Sequence, residues 1–174
     1  MKEIKGSYII CDVRCSFPSL FERATFEGKE TKYEISVLLP KNSDDSKELR
    51  ELIKRRATEE FDGRIPKKRC LNDGDEMGRP ETVGHYVLKG ASDQLPAVLN
   101  TNGSQATKDQ NPIYSGCRVD IKFNLWTTKN YGGYIGAGLM AVKFAGHDEP
   151  FTSAHVTPEQ AREGFDFSDE EVDF

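Results

Sequence analysis

Arg118-Val-Asp-Ile-Lys-Phe-Asn-Leu-Trp126-Thr-Thr-Lys-Asn-Tyr-Gly-Gly-Tyr134-Ile-Gly-Ala-Gly-Leu-Met-Ala-Val-Lys-Phe144 is the stretch whose reading decides the fold. Val119, Ile121, Phe123 and Leu125 fall on alternate positions, the period of a half-buried strand. The turn residues Lys129 to Gly133 lead into a second apolar run, Tyr134 to Phe144, so the segment reads as one long antiparallel hairpin. Successive side chains on a strand point to opposite faces. If the aliphatic set faces a core, Arg118, Asp120, Lys122, Asn124 and Trp126 share the other side.

Working outward, residues 7 to 17 are rich in β-branched and aromatic side chains and stop at Pro18, and residues 32 to 39 alternate Tyr33, Ile35, Val37 and Leu39 before Pro40. Both read as strands. The period then changes. Leu49, Leu52, Ile53, Ala57 and Phe61 lie on one helical stripe, with Asp44 and Asp45 at its start and Lys54, Arg55 and Arg56 toward its end, which predicts an amphipathic helix over about 44–61. Asn72 to Pro80 has turn composition, His85 to Lys89 and Pro96 to Leu99 read as short strands, and 100–117 is a polar loop long enough to suggest a function. Five or six strands with one helix between the second and third predict a mostly β protein, a five-stranded antiparallel barrel, because a parallel α/β sheet needs a helix between most strands. The expected organisation is one domain, 1–148, followed by a disordered acidic tail, 149–174.

The chain of 174 residues is 36% hydrophobic, 30% charged and 10% aromatic, enough for one core and too little for several domains. No apolar run is long enough to span a bilayer and the start carries no signal-peptide core, so a soluble, cytoplasmic protein with no membrane association is expected. Cys11, Cys15, Cys70 and Cys117 form no C-x-x-C pair and are expected as free thiols. The net charge is −5, but residues 159–174 alone hold seven acids against Arg162, so the remainder carries 23 bases and 22 acids, +1. The acidity belongs to the tail, and the body's charge does not exclude a nucleic-acid binder.

Trp126, the one tryptophan, shares its predicted face with Arg118 and Lys122. An indole beside cations on a strand is how single-stranded nucleic acid is held, bases stacking on the ring while Lys and Arg follow phosphates. Tyr131 and Tyr134 at the hairpin tip extend that platform, while Lys129 taken alone is uninformative. The competing reading has Trp126 covering a small second core under the 100–117 loop. Arg64, Lys67, Lys68 and Arg69 put four cations within six residues, a density that suits phosphate contact, although on charge alone a solvated loop at a helix end is the favoured reading. Gly136-Ala-Gly138-Leu-Met-Ala141 fits a dinucleotide fingerprint in letters only, because no βαβ unit can follow it. Cys11 and Cys15 are expected on one strand face, yet neither Cys70 nor Cys117 has a second ligand at finger spacing, so no metal site is expected, and no cofactor. His85, His147 and His155 lie in no recognisable catalytic arrangement, so the chain is expected not to be an enzyme. The end of the chain, Phe165-Asp166-Phe167-Ser-Asp169-Glu170-Glu171-Val-Asp173-Phe174, is an acidic segment with interspersed aromatics. It reads as a tethered competitor for a cationic groove and as a docking peptide for partner proteins.

Tyr33-Glu-Ile-Ser-Val-Leu-Leu-Pro40 followed at once by a helix, Tyr114-Ser-Gly-Cys-Arg118 leading into the long strand, and Gly136-Ala-Gly-Leu-Met-Ala-Val142 together resemble the single-stranded DNA-binding proteins of tailed bacteriophages. The order of elements is similar to that of the T7-type proteins, acidic tail included. The resemblance covers most of the chain through strand patterns and structural glycines. It implies an OB-fold, a DNA face that carries Trp126, Lys122 and Lys129, and a role in phage replication or recombination inside the infected bacterial cell. Phage or host replication and recombination proteins would be met through the tail, and a homodimer is compatible with the pattern. The rival reading is a non-catalytic protein-interaction or virion-accessory β-domain that uses the tail as its main contact.

Overall fold

Five long strands make the barrel: β1 (Ser7–Ser19), β2 (Tyr33–Pro40), β3 (His85–Ser92), β4 (Arg118–Thr128) and β5 (Tyr134–Gly146). The structure is a computed structural model and describes residues 1–151 and 162–164. β4 and β5 form the expected hairpin, with Leu125 opposite Ala137 and Trp126 opposite Gly136. β4 also pairs antiparallel with β1, β1 with β2 and β2 with β3. The ring then closes by a parallel contact, Ala137 against Gly90 and Gly138 against Ala91, so four seams of the predicted antiparallel barrel are antiparallel and the fifth is parallel. Local alternation sets each strand's inward face, but only the path of the whole chain sets which strands meet at the closure.

Helix α1 (Asp44–Phe61) sits between β2 and β3, as the periodicity predicts. Ser43 caps it, its side-chain oxygen accepting the Ser46 N–H at 3.2 Å, and the acids Asp44 and Asp45 complement the N-terminal dipole. Lys54, Arg55 and Arg56 stop short of the last turn, which holds no base and ends instead on Asp62 in the left-handed conformation. Leu49, Leu52, Ile53 and Ala57 join Ile10, Val37, Leu88, Ile121, Phe123 and Ile135 in one core.

The expectation that Cys11 and Cys15 share a face is not met: Cys11 is exposed and Cys15 buried. Asp12 adopts φ 55° and the register slips from Val13 opposite Val119 to Ile10 opposite Ile121, one extra residue on β1. Such a bulge inverts the alternation beyond it. Cys15 thus meets Cys117, their sulfurs 3.6 Å apart, while all four cysteines are free thiols.

After β5 the chain folds back on the barrel. The Phe151 ring lies under the Arg14 guanidinium, 4.0 Å from its centroid, and the Phe151 N–H donates to the Ser115 carbonyl. The expected tail, 149–174, lies outside the described residues beyond Phe151 apart from 162–164. No helix among the described residues is long and apolar enough to cross a membrane.

Candidate nucleic-acid interface

Strand alternation puts Trp126 on the outer barrel surface, 41% exposed, directly behind buried Leu125. Its indole lies over Gly136: a Cβ on that glycine would come 2.4 Å from Cε2. Tyr134 stands beside it, ring centroids 5.1 Å apart and tilted by 51°. On the same face Gly138 lies under Asn124, whose Oδ1 would be 2.2 Å from an added Cβ. The glycines of the false dinucleotide fingerprint are therefore clearance for two β4 side chains. The reading in which Trp126 underlies the 100–117 loop does not hold. That loop packs at the far end of the hairpin, through Ala106 to Val98 and Thr101 to the Phe144 carbonyl.

One wall of the groove was not legible in the sequence. Between β1 and β2, Thr25–Phe26 and Lys29–Glu30 pair as a small hairpin around Glu27 and Gly28, both at positive φ, the geometry of a two-residue primed turn. Arg23 braces its base through the Thr31 and Asp93 carbonyls. Phe26, Thr25, Lys32, Glu34, Lys89 and Ala91 line a cavity of about 530 Å³ with Trp126 and Tyr134. Phe26 is 69% exposed, and Lys89 is held by Glu34 at 2.8 Å. The turn signal Glu27-Gly28 was there to be found, but two-residue strands carry too little pattern to predict a hairpin.

The other wall is the β4–β5 turn. Tyr131 is 96% exposed at φ 54°, and Lys129 is exposed beside it. The basic segment, distant in sequence, arrives here because Lys68 and Arg69 pair with Tyr134 and Ile135 on the edge of β5. Arg64, Lys67 and Lys68 line one hollow with Tyr131, and Arg64 and Lys129 line another with Phe61.

The candidate cations divide into two sets. Arg64, Lys67, Lys68, Lys122 and Lys129 make no ion pair with any other described residue. Arg118, by contrast, is clasped by Asp12 at 2.5 Å and Asp148 at 3.3 Å, and its guanidinium is pushed further up by Asp12. It stands eight residues from Trp126 on β4, about 26 Å away at strand rise. Arg69 turns its guanidinium onto the Leu71 and Pro66 carbonyls. Among the described residues no cluster of His, Cys, Asp and Glu has the arrangement of a metal site. The tail residues Phe165, Asp166, Phe167, Asp169, Glu170, Glu171, Asp173 and Phe174 lie outside the described residues.

A five-stranded ring in the order β1-β2-β3-β5-β4, with an aromatic face framed by the β1–β2 and β4–β5 loops, is an OB-fold. The family described as Enterobacter phage Enc34, ssDNA-binding protein, matches residues 7–174, and the chain belongs to it. The single-stranded DNA-binding protein of bacteriophage Enc34 in complex with ssDNA is 29% identical, with TM-score 0.73 over 87% of this chain and 97% of that one. Protein p50 of Acyrthosiphon pisum secondary endosymbiont phage 1 is 27% identical over 92% of this chain and 94% of its own. The bacteriophage T7 single-stranded DNA-binding protein gp2.5, 13% identical with TM-score 0.53 over 86% of this chain and 97% of that one, shares the fold.

Proposed function

We propose that this chain is a non-catalytic single-stranded DNA-binding protein of phage replication or recombination, working in the cytoplasm of the infected cell. The observation that carries the reading is the exposed Trp126, seated on Gly136 with the half-buried Tyr134 beside it and flanked by cations with no carboxylate partner among the described residues. Bases stack on Trp126, Tyr134 and Tyr131, and phosphates follow Lys122 and Lys129 and then Arg64, Lys67 and Lys68. The strand crosses the barrel from the Phe26 hairpin to the β4–β5 turn. It does not run the length of β4, because Arg118, Arg14 and Lys143 at that end are already neutralised by Asp12, Asp148 and Asp120. In this reading Arg118 and Arg69 hold the fold and the free cations hold the DNA.

The acidic segment competes for the same surface and recruits replication partners. From Phe151 to Phe174 the chain reaches up to about 80 Å when extended, several times the roughly 26 Å from its root near Arg118 to Trp126. A tethered polyanion within reach acts at high effective concentration. Titrating Trp126 emission with oligo-dT at low and high salt tests the reading. Quenching that weakens with salt supports it; an unresponsive indole with no DNA binding overturns it and favours a protein-interaction domain.

A further inference from the structure

A second cavity, of about 330 Å³, opens on the other side of the basic segment, between α1 and the chain that leads into β3. Its apolar lining is Ile53, Ile65, Leu71 and Tyr86; its rim carries Arg50, Lys54, which pairs with Glu51 at 2.9 Å on the exposed helix surface, and Arg69, whose guanidinium is turned onto the Pro66 and Leu71 carbonyls. The Arg50 guanidinium lies 5.0 Å from the Tyr86 ring centroid and has no carboxylate partner among the described residues. Of the two acids in the lining, Asp73 is engaged by Lys41 at 2.7 Å, which leaves Glu76. An apolar hollow with a cationic rim takes an aromatic side chain carried on an acidic peptide.

We infer that this cavity docks the chain's own acidic aromatic segment, Phe165–Phe174, with a phenylalanine in the hollow and its neighbouring carboxylates on the rim and on the basic segment. The occupant is chosen by charge and by reach. Residues 165–174 hold five acids, three phenylalanines and no base. The chain from Phe151 extends far enough to cross any part of a domain this size. The position gives the contact a consequence, which rests on the proposed competition between tail and DNA. The segment 64–69 lies between the two: Lys67 and Lys68 line the hollow beside Tyr131, Arg69 lines the cavity, and Ile65 borders both. A phenylalanine anchored behind it lays the acids across the cations that DNA phosphates need.

The test uses the full-length protein with the photo-crosslinker p-benzoylphenylalanine at Phe165, Phe167 or Phe174 in turn. Crosslinks within one chain to peptides around Ile65, Leu71 or Tyr86 are the expected result. Crosslinks confined to the Trp126 and Phe26 groove, crosslinks only between chains, or none at all overturn the assignment. In parallel, Arg50→Ala/Lys54→Ala is expected to tighten oligo-dT binding at low salt by roughly three- to tenfold, by releasing the anchor. That sign is diagnostic, since loss of two cations by itself weakens DNA binding; unchanged or weaker binding counts against the dock. Replacing the five acids by Asn and Gln separates the two ideas. If that variant binds DNA more tightly while no crosslink reaches the cavity, competition stands and the dock falls. If it does not, the competition itself has failed.

Discussion

The Trp126 indole rests on the backbone of Gly136, its cross-strand partner, so closely that a single methyl there would overlap the ring at 2.4 to 2.6 Å. The glycine does not serve a turn or a strained φ. It gives the indole a seat on the outer barrel face, which is what leaves the π-surface open while its neighbour Leu125 is buried.

Gly136→Ala is therefore expected to leave the fold intact and unseat the indole. The emission spectrum of Trp126 should shift in the free protein, and oligo-dT affinity should fall. An unchanged spectrum and unchanged affinity would show that the seat has no role.

Trp126→Ala is expected to weaken oligo-dT binding by about 1 to 3 kcal/mol, the usual worth of one stacked base. Circular dichroism and a thermal melt close to those of the parent would establish that the loss is local, as expected for a ring that is 41% exposed.

Lys67→Ala and Lys68→Ala should each flatten the slope of log K against log salt by about 0.7 if each meets one phosphate of a single strand. Arg69→Ala is expected to behave differently. Its guanidinium closes the turn through the Pro66 and Leu71 carbonyls, so the main effect should be a lower melting temperature. A salt slope that responds to Arg69 and ignores both lysines would reverse the assignment.

Deleting residues 159–174 removes seven acids and one base and moves the net charge from −5 to +1. Tighter binding to single-stranded DNA is expected, with the largest gain at low salt where the tail is least screened. Affinity unchanged at every salt concentration would mean that the tail does not visit the groove.

Thiol titration of the native protein at pH 8 should find one fast cysteine of the four. Cys11 is exposed; Cys70 is buried and its thiol is pushed up to about 12 by that burial, so almost none of it is thiolate at that pH. Cys15 and Cys117 face each other inside the barrel. Four fast thiols under native conditions would contradict the packing.

Alternation and helical period are local properties, and the sequence by itself determined what depends on them: the β4–β5 hairpin, α1, the outward face of Lys122, Asn124 and Trp126, and the segregation of acid into the tail. The tertiary structure alone decided what depends on chain path and register. The parallel seam between β3 and β5 joins strands more than forty residues apart, and no local pattern encodes a partner. The bulge at Asp12 inverts β1 and separates Cys11 from Cys15 through one backbone conformation that no side-chain pattern announces. Charge counts treat all cations alike, whereas folding puts Arg118 between two carboxylates and brings Lys67 and Lys68, some sixty residues away in sequence, to the edge beside Tyr131 and Tyr134. Which cations remain free for an anion is a property of distance in space, and that is fixed only when the barrel closes.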